Sequence, residues 1–287
     1  MQKDKRIKLL KNTKNRGVFH SRYIGSLNAQ GEYIYFIDPD DLLYDILLEA
    51  YKEAITDDLD IVQFLYIQYF NGKYSFNDYL NFIKHNLGYI GILKDDEVKY
   101  NFCVKTGKDK QFYFSYPMLW DKIIKRKIVL KAYLDIGDTY LNKHLITMDD
   151  GLLAIFIFRN AKSFKYILKV GYSWNMETTG SIESENRKMK NPKIVNKRFH
   201  DIFTYFKILY EKTENSKTER LCIFQVYKSL CKIFYKKLIF LSDGFDLINK
   251  VFSLYKNIVY LDKIEKQDIK NYYERFLNSK HMTKFYE

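Results

Sequence analysis

The stretch Gly31-Glu32-Tyr33-Ile34-Tyr35-Phe36-Ile37-Asp38-Pro39-Asp40-Asp41 constrains the fold more than any other part of the chain. Tyr33 to Ile37 is a continuous run of aromatic and β-branched residues, the pattern of a strand buried on both faces of a parallel sheet. Pro39 lacks a backbone donor and fixes its own φ. The chain therefore leaves the sheet there and presents Asp38, Asp40 and Asp41 at the carboxyl end of the strand, the edge where open α/β sheets bind ligands. Three clustered carboxylates repel one another unless a hard divalent cation or the donors of a ligand sit among them. The plainer reading is a solvated turn in which Asp41 caps a helix starting at Leu42. An EF-hand loop is excluded, because Leu42 and Leu43 fall on its fifth position and its required glycine.

Just upstream the chain reads Asn15-Arg16-Gly17-Val18-Phe19-His20-Ser21-Arg22-Tyr23-Ile24-Gly25-Ser26-Leu27-Asn28-Ala29-Gln30-Gly31-Glu32-Tyr33-Ile34. With the acidic turn this resembles the glycosyltransferase family 2 signature N-x-G-x-x-x-A-R-N-x-G-x-x-x-A-x-G-E-Y-I, followed by a hydrophobic strand and D-x-D-D. Asn15, Gly17, Arg22, Gly25, Ala29, Gly31 to Ile34, Asp38, Asp40 and Asp41 fit in one register. Ser21 stands where alanine is usual and Tyr23 where asparagine is common.

At 287 residues the chain is long enough for one substantial core and a smaller appendage. A composition 47% hydrophobic and 17% aromatic is that of a globular chain, not a disordered one. The 3 cysteines, Cys103, Cys222 and Cys231, are odd in number and have no C-x-x-C spacing. They indicate neither a disulfide framework nor a zinc site, and a reducing compartment is the simpler expectation. No apolar run approaches the about 20 residues of a membrane span, and the charged start lacks a signal-peptide core. The expected location is cytoplasmic, with peripheral contact at the membrane face as an option. A formal net charge of +13 attracts anionic partners. The lysines are nevertheless dispersed among Tyr and Phe, and no RNA-recognition, zinc-finger or KH signature occurs, so the charge does not indicate nucleic acid.

In chain order, Arg6 to Leu10 reads as a short strand, Asn12 to Gly17 as a polar turn, and Val18 to Gln30 as a helix with Phe19, Tyr23, Ile24 and Leu27 on one face. Leu42 to Ile55 reads as a second helix and Asp60 to Ile67 as a strand that completes a β-α-β unit. Asn71-Gly72 is a hairpin turn. From Tyr74 to Ser115 the pattern is irregular, consistent with an insertion or acceptor-side loop. Trp120, Asp121 and Lys122 resemble a W-N-K segment of related transferases, with Asp121 in place of asparagine. Trp120 either underlies a sugar pocket or is ordinary core.

Met148-Asp149-Asp150-Gly151-Leu152-Leu153 resembles the E-D-x-x-L element of inverting family members. The competing reading is an acidic N-terminus to an apolar helix. Phe164 to Leu168 reads as a returning strand, and Trp174, Ser181 and Ile182 loosely match the family's closing segment. Arg187 and Lys188 are candidate cations for a diphosphate-covering loop. Beyond Pro192 the pattern turns helical, over about Val195 to Glu211, Thr218 to Leu241, Leu247 to Ile258 and Lys266 to Leu277. The basic and aromatic run Lys232 to Phe240 fits either an anionic membrane surface or a helical cap on the sheet.

The expected architecture is α/β: a GT-A-like mixed sheet flanked by helices over residues 1–190, and an α-helical region over 191–287. Relative to the family, the upstream strand, helix and strand that hold the nucleotide base are absent from this sequence, which makes the catalytic domain look N-terminally incomplete. The resemblance implies inverting transfer of a sugar from a nucleotide-diphosphate donor to a glycan or lipid-linked acceptor, assisted by Mg²⁺ or Mn²⁺. It places Asp150 as catalytic base and Asp149 and Trp120 at the substrate pocket. Asp38, Asp40, Asp41, Asn15, Gly17 and Arg22 fall at the donor site, with Asp38 and Asp40 as metal ligands. The alternative is a non-catalytic remnant or interaction protein that lacks the donor-base site.

Overall fold

The computed structural model describes residues 4–75, 91–95, 97–98, 118–145 and 149–177, the backbone of 103–106 and 111–114, and scattered helical positions between 197 and 212. The chain divides into two compact units, Met1–Lys190 and Asn191–Glu287. The first runs α1 (Gly17–Asn28), β1 (Tyr33–Tyr35), β2 (Leu42–Leu43), α2 (Leu47–Thr56), β3 (Ile61–Phe70), β4 (Lys73–Ser75), β5 (Leu93–Lys94), β6 (Cys103–Thr106), β7 (Gln111–Phe114), β8 (Lys122–Lys125), α3 (Arg126–Ile136), α4 (Asp138–Leu141), α5 (Asp149–Asn160) and β9 (Ser163–Asn175). In the second, Tyr205, Ile208 and Leu209 are buried. Ser181, Ile182, Arg187, Lys188 and the helical patterns from Thr218 onward, with Lys232 to Phe240, lie outside the described residues.

A mixed sheet in the order β1-β8-β3-β9-β2 carries the first unit, with β4 paired to β3 and β5 to β9. β3 and β9 are parallel, while β8 is antiparallel to both β1 and β3. It follows that β1, β3 and β9 point the same way and their carboxyl ends share one edge. Val62, Phe64 and Tyr66, alternating along β3, join Ile46, Ala50 and Ala54 of the α2 segment in one core. Alternation puts Gln63 and Lys122 on the opposite face. α5 is apolar on all sides and buries every residue from Gly151 to Phe158, as expected of a helix packed on several sides. No helix among the described residues is long and apolar enough to cross a membrane.

Four expectations change. Arg6 to Leu10 is not a strand: its backbone is turn and coil, with Ile7 59% and Leu9 82% exposed. The run Tyr33 to Ile37 is not a central parallel strand. β1 covers only Tyr33–Tyr35, pairs antiparallel with β8 at one end of the sheet order, and leaves Ile37 52% exposed. The second helix begins at Leu47, not Leu42, because Leu42 and Leu43 pair with Ser173 and Tyr172 as a short strand. The buried face of α1 carries Phe19, His20 and Ser26, while Leu27 is 45% exposed; Arg22 turns inward toward carboxylates and rotates the face away from the purely apolar one. The Asn71-Gly72 hairpin joins β3 to β4 with both residues at positive φ, as a type I′ turn requires. The irregular stretch after Tyr74 contains the hairpin β6–β7.

β9 is longer than its partner. Phe64 pairs with Ile167, Leu65 with Val170 and Tyr66 with Tyr172, so Leu168, Lys169 and Gly171 bulge out of register. The bulge brings Gly171 against the α2 side. A Cβ there would lie 2.5 Å from both Ile46 Cγ2 and Phe64 Cδ2, and its carbonyl accepts the Tyr44 N–H at 3.0 Å. Gly171→Ala is expected to destabilise the protein by about 1–3 kcal/mol through overpacking. Urea unfolding checks this, and a midpoint equal to that of the wild type contradicts the close approach.

Candidate active site

Three elements meet at the carboxyl edge of β1, β3 and β9. The loop after β1 brings Asp38 to Asp41. α5, which leads back into β9, starts there with Asp149 and Asp150. α1, which leads into β1, also begins at this edge and carries Arg22 inward.

The start of α1 is fixed locally. Gly17 sits at φ +83°, its N–H donates to Asn15 Oδ1 at 3.0 Å, and a Cβ on it would lie 2.5 Å from the His144 ring and 3.2 Å from the Leu145 carbonyl. Only glycine satisfies both the dihedral and the space. Around this turn Asn12, Lys14, Asn15, Arg16, Gly17, Val18, Ser21, His144 and Leu145 line a cleft of about 550 Å³.

One and a half turns on, the Arg22 guanidinium joins the two acidic segments. Its Nη2 donates to Asp38 Oδ1 at 2.9 Å and its Nη1 to Asp149 Oδ2 at 2.8 Å; Nη1 also donates to Asp150 Oδ1. Its side chain is 12% exposed. Burial opposes the Arg22 charge, but Asp150, Asp149 and Asp38 outweigh it and raise the guanidinium pKa. Burial pushes the Asp149 carboxyl up against the pull of Arg22. It pushes Asp150 well up, with the charges of Asp149 and Asp38 adding to the rise. A carboxylate raised in this way is a stronger base than one in water.

The three acids of the loop take different environments. Asp41 is neither a helix cap nor a solvated group: Tyr172 Oη donates to its Oδ2 at 2.5 Å and the Asn175 N–H to its Oδ1 at 2.7 Å. It ties the loop to β9. Asp38 is half-buried on Arg22, and Asp40 is exposed. Among the described residues no group of three Asp, Glu, His or Cys converges as a metal site. Asp38 and Asp40 offer hard carboxylate oxygens, which fit a cation of the Mg²⁺ type that completes its shell with substrate phosphate and water oxygens rather than a protein-only cage.

Beneath the loop, Trp120 is buried and stacks on Tyr172, with ring centroids 4.4 Å apart and planes 12° apart; Tyr66 meets it edge-on at 4.7 Å. It is core, yet it supports the tyrosine that holds Asp41. Next to it lies a fully buried charged pair. Lys122 Nζ donates to Asp121 and, at 2.6 Å, to the Met118 carbonyl, while Gln63 Nε2 donates to Asp121 Oδ2 at 2.6 Å. Burial drives Asp121 up and Lys122 down, against their mutual attraction. Asp150 lies close enough to favour the charged lysine.

The sequence pattern named Asp38, Asp149 and Asp150, and the structure brings all three onto one guanidinium. Asn15 and Gly17 line the cleft instead. It gave no role to Tyr172, although the tyrosine stands near the carboxyl end of a strand, where an inward hydroxyl reaches the neighbouring loop. The buried pair of Asp121 and Lys122 was equally hidden, because adjacent opposite charges look like surface.

Residues 1–116 match the family described as glycosyl transferase family 2. This stretch is a glycosyl transferase family 2 region. The family 2 region contains Asn15, Gly17, Arg22 and the Asp38 to Asp41 loop, whereas Trp120, Asp149 and Asp150 follow it. A cholesterol galactosyltransferase of Borreliella burgdorferi is 26% identical over 190 residues, which are 60% of this chain and 45% of that protein. The chain thus spans less than half the length of that relative.

Burial raises Asp41 from 3.8 to about 6, with the charges of Asp40 and Asp38 adding and the Tyr172 and Asn175 bonds opposing. Between about pH 4 and 6 the folded chain therefore retains a proton that the unfolded chain has released, so stability falls as pH rises through this window. Asp41→Asn should flatten that slope. Urea unfolding in chelator-containing buffer across the window measures it, and an unaltered slope contradicts the assignment to Asp41.

Proposed function

We propose that this chain is a glycosyltransferase that moves a sugar from a nucleotide-diphosphate donor to a glycan or lipid-linked acceptor, with inversion at the anomeric carbon. The observation that carries the reading is the shared guanidinium: Arg22 joins Asp38, within the family 2 region, to Asp149 and Asp150 on a helix about 110 residues later. An inverting transferase needs a leaving-group side and a base side facing one reacting carbon.

Asp150 takes the proton of the acceptor hydroxyl while that oxygen forms its bond to the anomeric carbon. The bond from that carbon to the diphosphate oxygen breaks on the opposite face, and its electrons leave with the diphosphate. Asp38 and Asp40 would hold Mg²⁺ or Mn²⁺, which when bound offsets negative charge on the departing diphosphate. Asn15, Gly17, Lys14 and Arg16 at the cleft are assigned to the donor, with the two cations suited to its phosphates. Asp41 sets the loop from behind, and Trp120 acts through Tyr172 as support for it. The relative's name makes galactose the first sugar and a sterol the first acceptor to test. A lipid acceptor also calls for contact with a membrane surface.

The test is release of nucleoside diphosphate from UDP-galactose, UDP-glucose and GDP-mannose in Mn²⁺, with and without cholesterol-containing vesicles. Asp150→Asn should lower kcat by at least about 10²-fold, and Asp40→Ala should weaken activation by Mn²⁺. Equal activity in all three proteins contradicts the residue roles. No release by the wild type from any of these donors favours the non-catalytic alternative.

A further inference from the structure

The resemblance puts Arg22 among donor contacts, but its place in the structure suggests another task. Its side chain is buried to all but 12% of its surface, and both terminal nitrogens are directed at protein carboxylates. One guanidinium serves three carboxyl groups, so a single cation ties the cluster together. Each nitrogen serves a different segment: Nη2 the loop after β1, Nη1 the first turn of α5. Arg22 itself is held by α1, whose entry is fixed by Gly17 against His144 and Leu145. Ser26, one turn further on, donates to the Arg22 carbonyl at 2.8 Å. The fork is therefore anchored to neither of the segments it connects.

We propose that Arg22 is a positioning residue that sets the distance and orientation between the donor-side acid Asp38 and the acceptor-side base Asp150. This rests on the transferase reading above and deepens it. A planar fork with two separated nitrogens fixes two carboxylates relative to each other, whereas the compact ammonium of lysine, with rotatable donors on a flexible stem, does not impose that geometry. Misplacing the base by about 1 Å is enough to cost about 10²-fold in rate without loss of substrate binding. A merely structural tie would lower the folded fraction and leave the kinetics of the folded molecules alone. A donor contact would instead raise KM for the donor.

Arg22→Lys in the full chain separates these possibilities. Diphosphate release is followed against donor concentration for the best of the three donors named above, and the folded fraction is set by thermal unfolding. The proposal expects kcat per folded molecule to fall by about 10–100-fold, with donor KM altered by less than about threefold. An unchanged kcat, or a change confined to KM, overturns it. If Arg22→Lys does not fold, Asp149→Ala removes one arm of the network and should move kcat in the same direction with KM held; a change in KM alone again overturns the proposal. A wild type that turns over none of the donors fails the transferase reading itself. That outcome is distinct from an active wild type whose kinetics Arg22→Lys leaves untouched.

Discussion

The interaction between Arg22 and the carboxylates of Asp38, Asp149 and Asp150 is what makes one site of two distant stretches of chain. Asp149 and Asp150 would each be costly alone where they stand, because burial disfavours their charge and their acidic neighbours add to the cost. The guanidinium makes the cluster tolerable. Its position depends in turn on the start of α1, where Gly17 allows the helix to lie directly on the segment before α5.

A second network holds the acidic loop from the other side. Trp120 stacks on Tyr172, Tyr172 donates to Asp41, and the Asn175 N–H occupies the remaining Asp41 oxygen. The bulge at Leu168, Lys169 and Gly171 sets the register in which Tyr172 reaches Asp41. The loop is thus held at Asp38 by α1 and at Asp41 by β9, with the exposed Asp40 between the two holds. A loop fixed at both ends with its middle acid toward solvent is organised to receive a ligand without first ordering itself.

Much of this was legible in the residues. The hairpin at Asn71-Gly72 and the strand read over Asp60 to Ile67 follow from local pattern, whereas it was the family resemblance that singled out Asp38, Asp149 and Asp150, which folding brings onto Arg22. What local pattern missed was long-range. The buried look of Tyr33 to Ile37 suggested a central strand, but β1 finds its partner in β8, about 90 residues away, and that pairing is antiparallel. Leu42 and Leu43 have helical periodicity with Ile46 and Ala50, yet β9 claims them, and Asp41 is held to β9 rather than capping a helix. Nothing near Asp121 and Lys122 announces that both are fully buried; Gln63, brought in by folding, and the Met118 carbonyl are among the partners that make that burial tolerable.

The central claim is that the acids after β1 and the acids opening α5 serve one reacting centre. The most direct measurement is a crystal structure of the protein with UDP and Mn²⁺. The account predicts the cation bound to Asp38 or Asp40 oxygens and to the diphosphate, with the Asp150 carboxylate opening onto the same cavity. A diphosphate bound elsewhere, or Asp150 opening onto a separate cavity, would contradict it.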